Sequence, residues 1–123
     1  MDVELKVTPD RYLPHRYAGA SGDFNPIHID VDFAKQVGLP SNILHGLYSM
    51  AQVARACTEA AGGDPRSLRR LSVQFRGMGF PGQELTVTGS EREEESDGTV
   101  IVDVVAEQGG NQIIKNAEAE LRS

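Results

Sequence analysis

The sequence predicts an α+β domain in which one antiparallel sheet wraps around a single central helix. Two observations predict it. A long helical pattern starts near Gly46 and stops at Gly62-Gly63, and strand-like alternation punctuated by tight turns fills the chain from about residue 68 onward. Neither half repeats the other, and no linker separates them, so residues 1–123 read as one domain.

At the start, Val3, Leu5 and Val7 alternate with charged neighbours, the pattern of a short strand. Thr8-Pro9-Asp10 offers a helix start, with a Thr cap and Pro at the first helical position. That helix is expected to reach about Ala20, with Pro14 inside it costing one hydrogen bond. Ser21 to Pro26 is dense in turn formers and reads as a loop. A turn of helix over Asp32 to Val37 ends at Gly38-Leu39-Pro40. In the central helix Leu47, Met50, Ala51, Ala54, Cys57 and Ala61 form an apolar stripe. Few charges, chiefly Arg55 and Glu59, interrupt its other faces, so the helix is expected to be mostly buried.

Four strands follow. Leu71, Val73 and Phe75 alternate with polar residues, then Leu85 and Val87, then Val100 to Ala106, then Ile113 to Leu121. Pro81-Gly82, Asp97-Gly98 and Gly109-Gly110-Asn111 separate them, as expected for a meander of consecutive antiparallel strands. Such a sheet has open edges, and pairing them in a dimer is one way to cover them. A monomeric mass by light scattering at micromolar concentration would contradict that pairing.

Composition removes several functional classes. With a net charge of −6 and a pI near 5.0, the chain lacks the basic surface that phosphate binding needs, which argues against nucleic acid. Arg66, Arg69 and Arg70 form a local basic patch. It reads either as a solvated face or as a contact for a phosphorylated carrier such as coenzyme A. No apolar run approaches the roughly 20 residues of a membrane span. The charged N-terminus has no signal-peptide pattern. The single cysteine, Cys57, allows no intrachain disulfide and lies on the helix stripe, where an inert buried thiol is expected. A cytoplasmic protein is the resulting expectation.

The residues with chemical capacity concentrate in Ser21-Gly22-Asp23-Phe24-Asn25-Pro26-Ile27-His28-Ile29-Asp30. Asp23 and His28 can converge because Asn25 and Pro26 turn the chain between them. A carboxylate can accept a proton from water, and an imidazole can hold the same water and move protons at neutral pH. Ser21 and Asn25 can fix the loop through backbone or carboxylate bonds. The structural alternative makes Asp23 and Asn25 ordinary turn residues and His28 a surface or core histidine. Apolar Phe24, Ile27 and Ile29 point to a loop pressed against a core, but residue types leave both readings open. Metal is not expected. Counted from Asp23, a calcium loop would need Gly where His28 stands and Glu where Ala34 stands. A zinc set of His28, Asp30 and His45 has no recognised spacing.

A second group is Leu44-His45-Gly46-Leu47 at the start of the central helix. Free N–H groups and the positive end of the helix dipole make this an oxyanion site, where Gly46 allows close approach. Gly46 chosen for tight packing and His45 acting as a cap or loop-packing residue are the structural readings. No P-loop, GxGxxG or Gly-x-Ser-x-Gly elbow is present.

The segment from Tyr17 to Asp30, continued by Phe33-Ala34 and Leu44-His45-Gly46-Leu47, resembles the signature of the MaoC-like, (R)-specific enoyl thioester hydratases and dehydratases. The resemblance implies a hot-dog fold, the sheet wrapped around the helix beginning near Gly46. It implies that the pair matching Asp23 and His28 activates a water that adds to carbon 3 of a trans-2-enoyl thioester. A proton reaches carbon 2 on the same face, giving the (R)-3-hydroxyacyl thioester reversibly. The amide matching Gly46 would hold the thioester oxygen, Asn25 would support the loop, and Ser21 and His45 would assist. No metal or redox cofactor is implied; coenzyme A or acyl carrier protein comes as part of the substrate. Some members use a polar side chain inside the central helix, and Ser49 lies nearby. The chain resembles the short bacterial type, which implies a homodimer or one half of a heterodimer with a second hot-dog subunit. A hot-dog thioesterase and a non-catalytic acyl-thioester-binding subunit are the alternatives. Acyl chain length, carrier and pathway are not legible.

Overall fold

The computed structural model describes residues 1–122. Strand β1 (Asp2–Val7) is followed by helices α1 (Leu13–Ser21), α2 (Pro26–Ile29), α3 (Val31–Gln36) and α4 (Gly46–Ala60). A short 3-10 turn (Pro65–Ser67) leads into β2 (Leu68–Phe75), β3 (Leu85–Glu94), β4 (Val100–Gln108) and β5 (Asn111–Leu121). The five strands form one antiparallel sheet in the order β1-β3-β4-β5-β2. Its inner face packs on α4. Val53, Ala56 and Cys57 from the helix meet Leu85, Val87, Val102, Ala106, Ala119 and Leu121 from the sheet in one buried cluster. Burying a side chain such as Val53 in this way stabilises the fold by about 1.5–3 kcal/mol. Burial pushes the Cys57 thiol up to about 11, so the inert cysteine expected from the sequence is what the core contains.

The antiparallel sheet around one helix is as expected, but four local expectations fail, each for a physical reason. First, helix α1 starts at Leu13, not at Pro9. The Asp10 carboxylate accepts the Tyr12 N–H (2.8 Å) and the Asp10 carbonyl accepts the Leu13 N–H (3.1 Å), closing a turn that delays the helix. Pro14 therefore falls in the first turn, where its missing N–H costs nothing. Second, α2 replaces part of the expected loop: Pro26 opens a helical turn that Asn25 caps, its Oδ1 accepting the Ile27 N–H at 3.2 Å.

Third, the buried face of α4 is Tyr48, Ser49, Val53, Ala56 and Cys57. Of the expected stripe, Leu47 and Ala51 are exposed and Met50 and Ala54 are half-buried. The helix is apolar on two sides, so periodicity could not identify which one faces the sheet. Fourth, β2 does not pair with β3. It pairs with β5 at the far edge, and residues 76–84 cross the end of the sheet to reach β3. The expected meander therefore holds for β3-β4-β5 only. In β5, Asn116 takes a left-handed φ of 49°, and the register against both neighbours slips there, a bulge that interrupts simple alternation.

The crossing segment is tightly held beside the start of α4. Gly79 accepts the Leu44 N–H at 2.8 Å, and the buried Gln108 amide binds the Phe80 N–H, the Phe80 carbonyl and the Gln83 carbonyl. A Cβ on Gly77 would lie 2.8 Å from the Gln112 carbonyl oxygen, so only glycine fits this approach to β5.

Candidate active site

Two segments meet at the site, the α1–α2 connection and the segment 41–46 entering α4. Ser21 Oγ accepts the Asp23 N–H (3.2 Å), and Asp23 Oδ1 accepts the Asn25 N–H (3.2 Å). These nested turns, with the Asn25 cap, carry the chain from Ser21 to Pro26. Across from them, Ile43 N–H donates to the Ile27 carbonyl (3.0 Å) and Asn42 Nδ2 donates to the His28 carbonyl (2.8 Å). The segment before α4 is thus bonded to α2 on both sides of His28.

His28 is buried, and its Nδ1 lies 2.8 Å from the Ile43 carbonyl oxygen. A carbonyl only accepts, so Nδ1 carries the hydrogen and Nε2 carries the lone pair. That lone pair faces Asp23, with Nε2 3.7 Å from Oδ2. Both atoms are acceptors. The distance is too long for a direct hydrogen bond, and a donor placed between them would satisfy both. Asp23 is half-exposed, whereas His28 is largely buried.

His45 lies directly behind this pair. Its ring stacks on His28 (centroids 4.0 Å apart, 22° between planes), and Tyr17 packs on it at 4.8 Å. Its Nε2 is 3.0 Å from the Asp23 carbonyl oxygen, and its side chain makes no capping bond to α4. His45 thus stands at the N-cap position of α4, while its ring serves the loop rather than the helix. Gly46 and Leu47 open α4, and their amides have no hydrogen-bond acceptor among the described residues. The Phe75 ring covers Gly46, where an added Cβ would meet Cδ1 and Cε1 at 3.2 Å. Ser49 is buried on α4, one turn beyond His45.

The site brings together Ser21, Asp23, Asn25, His28, His45 and Gly46. Asp30 is elsewhere: it caps α3, accepting the Phe33 N–H at 3.1 Å. The zinc set of His28, Asp30 and His45 is thus wrong in its acid; Asp23 is the carboxylate beside both rings, with ligand atoms within 4.8 Å. The stacked rings hold their lone pairs in nearly parallel planes, a poor match to convergent tetrahedral ligation. The basic patch also lies apart. It follows the far end of α4, about 22 Å along the helix from Gly46, with Arg66 bound to Asp64 and Arg70 near Glu118 and Glu120. Asn42 and the Ile43 carbonyl were not anticipated. A polar residue just before Leu44-His45-Gly46 was the only available signal.

The sequence pattern of the MaoC-like domain matches residues 2–115. The chain belongs to the MaoC-like domain family. A fatty acid synthase subunit beta of Aspergillus oryzae is 40% identical over 85% of this chain, which spans 5% of that protein. A peroxisomal enoyl-CoA hydratase 2 of Arabidopsis thaliana is 37% identical over 67% of the chain, which spans 26% of it. Among solved structures, a MaoC-like dehydratase superposes with a TM-score of 0.92 at 30% identity, over 99% of this chain and 39% of that one. The A. caviae (R)-hydratase involved in PHA biosynthesis superposes at 0.89 with 21% identity, over 99% and 93% of the two chains. A chain of the ChsH1-ChsH2 complex of Mycobacterium tuberculosis superposes at 0.85 with 24% identity, over 99% and 96%. These likenesses establish the hot-dog fold, and the family is one of hydratases and dehydratases. No helix among the described residues is long and apolar enough to cross a membrane.

Proposed function

We propose that this MaoC-like chain interconverts trans-2-enoyl thioesters and (R)-3-hydroxyacyl thioesters, using one water held between Asp23 and His28. The observation that carries the proposal is the 3.7 Å gap between two acceptors, Asp23 Oδ2 and His28 Nε2. A water there donates one hydrogen to each and turns a lone pair outward. In hydration its oxygen bonds to carbon 3 as the pair takes a proton from it. Charge moves onto the thioester oxygen, toward the free amides opening α4. The proton held on the pair then bonds to carbon 2 on the same face. The net change is one water added across the double bond, and the reverse path is dehydration. No step needs a metal or redox cofactor.

A partner subunit belongs to this reading. Leu47 and Ala51 on α4 and Phe75 at the end of the β2 edge are exposed on the site's side of the molecule, an apolar surface that a second hot-dog subunit would cover. Light scattering is expected to give twice the 13.3 kDa mass, or the mass of a pair with a different subunit when one is supplied.

The activity test is loss of absorbance at the conjugated enoyl band with crotonyl-CoA and longer enoyl-CoA substrates, with chelator present. Turnover yielding the (R) alcohol is expected. Release of free thiol would establish a thioesterase instead. Binding without turnover at any chain length, alone or with a partner, would mark a non-catalytic subunit.

Gly46→Ala tests the oxyanion contact. The new methyl meets the half-exposed Phe75 ring, which can rotate away, so stability is expected to stay within about 1 kcal/mol. Crowding at the helix entrance is expected to lower kcat by about 10-fold or more, the lower side of what losing one oxyanion donor costs.

A further inference from the structure

We infer that His45 is a positioning residue that holds the catalytic pair in register through its Nε2–H on the main-chain carbonyl of Asp23. The inference rests on the hydration reading for its kinetic consequences, though not for its geometry.

His45 is 2% exposed. Its Nε2 faces a carbonyl oxygen at 3.0 Å, so Nε2 carries the hydrogen and Nδ1 is bare. Nδ1 is the one buried side-chain polar atom without a hydrogen-bond partner among the described residues. A core position chosen for packing alone would not bury an unpaired acceptor, because that arrangement costs stability. What the imidazole provides in exchange is reach. Its bond spans 22 residues, from the start of α4 to the residue carrying the carboxylate. Its face meanwhile supports the His28 ring at 4.0 Å, and Tyr17 backs it from α1.

The Asp23 loop has little else to fix it against α4. Its other bonds, to Ser21 Oγ and from the Asn25 N–H, are local. His28 is fixed independently, through Ile43. His45 therefore sets the distance between the two halves of the pair. An error of about 1 Å between reacting groups can cost on the order of 10²-fold in rate.

Three variants separate this role from simple packing. His45→Gln keeps a donor at the position of Nε2 and loses the ring; His45→Phe keeps a stacking ring and loses the donor; His45→Ala loses both. In wild-type background the kcat for crotonyl-CoA hydration is expected to fall about 10²-fold in the Phe and Ala variants. The Gln variant is expected to stay within about 10-fold of wild type, and KM is expected to change less than about twofold in all three. A Gln variant no better than Phe, an Ala variant with near-wild-type kcat, or a loss confined to KM would overturn the inference. Nitrogen-15 NMR of the intact chain at pH 7 supplies a readout independent of turnover. His45 is expected as the Nε2–H tautomer, and the Asp23 carbonyl carbon is expected to shift in the Phe variant but not in the Gln variant. A Nδ1–H tautomer, or no such shift, would overturn the positioning role even if the wild type proves inactive on enoyl thioesters. An inactive wild type with the expected spectra would sink the hydration reading alone.

Discussion

Asp23→Asn is expected to lower kcat for enoyl thioester hydration by at least about 10²-fold while leaving the fold intact. The substitution is unusually clean here. The Asp23 Oδ1 that accepts the Asn25 N–H is retained as the carboxamide oxygen, so the turn into α2 survives. The bond to Ser21 Oγ and the bond from His45 both involve the main chain of residue 23 and are also untouched. Only the chemistry at Oδ2 changes. There an acceptor becomes an N–H donor aimed at His28 Nε2, which is itself an acceptor. The amide can bond to the imidazole directly or hold a water in the wrong orientation, and it cannot take the water's proton. Because the side chain is half-exposed, stability is expected to change by no more than about 0.5 kcal/mol, the usual range at such positions. Steady-state kinetics at pH 7 beside a thermal melt checks both. An Asn variant with near-wild-type kcat would remove Asp23 from proton transfer and leave the gap beside His28 without a role.

Legibility from sequence followed the range of the interactions involved. Asp97-Gly98 and Gly109-Gly110 were readable as hairpin turns because their conformation is local, and both hairpins form. The limits of α4 were readable because Gly46 and Gly62-Gly63 bracket a pattern with no breaker inside. Its buried face was not, since Leu47, Met50 and Ala51 are as apolar as Val53 and Ala56. Only the position of the sheet decides between them. The β2–β5 pairing joins residues 39 to 53 positions apart, and no turn signal encodes it. The site divides in the same way. Asp23 and His28 were readable because Asn25 and Pro26 turn the chain between them within a few residues. The bonds that fix them, Asn42 to the His28 carbonyl, the Ile43 carbonyl to His28 and His45 to the Asp23 carbonyl, span 14, 15 and 22 residues and use main-chain atoms that every residue carries. The structural role of Asp30 also has a local reason. A short acid immediately before Val31 is as good a helix cap as a metal ligand, and capping is what it does.

His28→Asn is expected to abolish hydration to a similar degree, by at least about 10²-fold in kcat, and to do so with little loss of stability. The reason lies in the division of labour between the two ring nitrogens. Nδ1–H is structural: it donates to the Ile43 carbonyl at 2.8 Å inside a largely buried pocket. The asparagine amide nitrogen sits at nearly the same place along the side chain and can keep that bond. Nε2 is chemical: it faces Asp23 across the 3.7 Å gap, and asparagine has nothing at that position. His28→Ala would remove both functions together. It would leave the Ile43 carbonyl buried without a donor, at a cost of about 1–3 kcal/mol, and an activity loss in it would be ambiguous. The pair of variants resolves the ambiguity. If Nε2 holds the water, Asn and Ala are equally inactive and differ in melting temperature, with Ala lower. If His28 only supports the loop, Asn restores most of the activity that Ala loses, and the water-activating role falls to Asp23 alone.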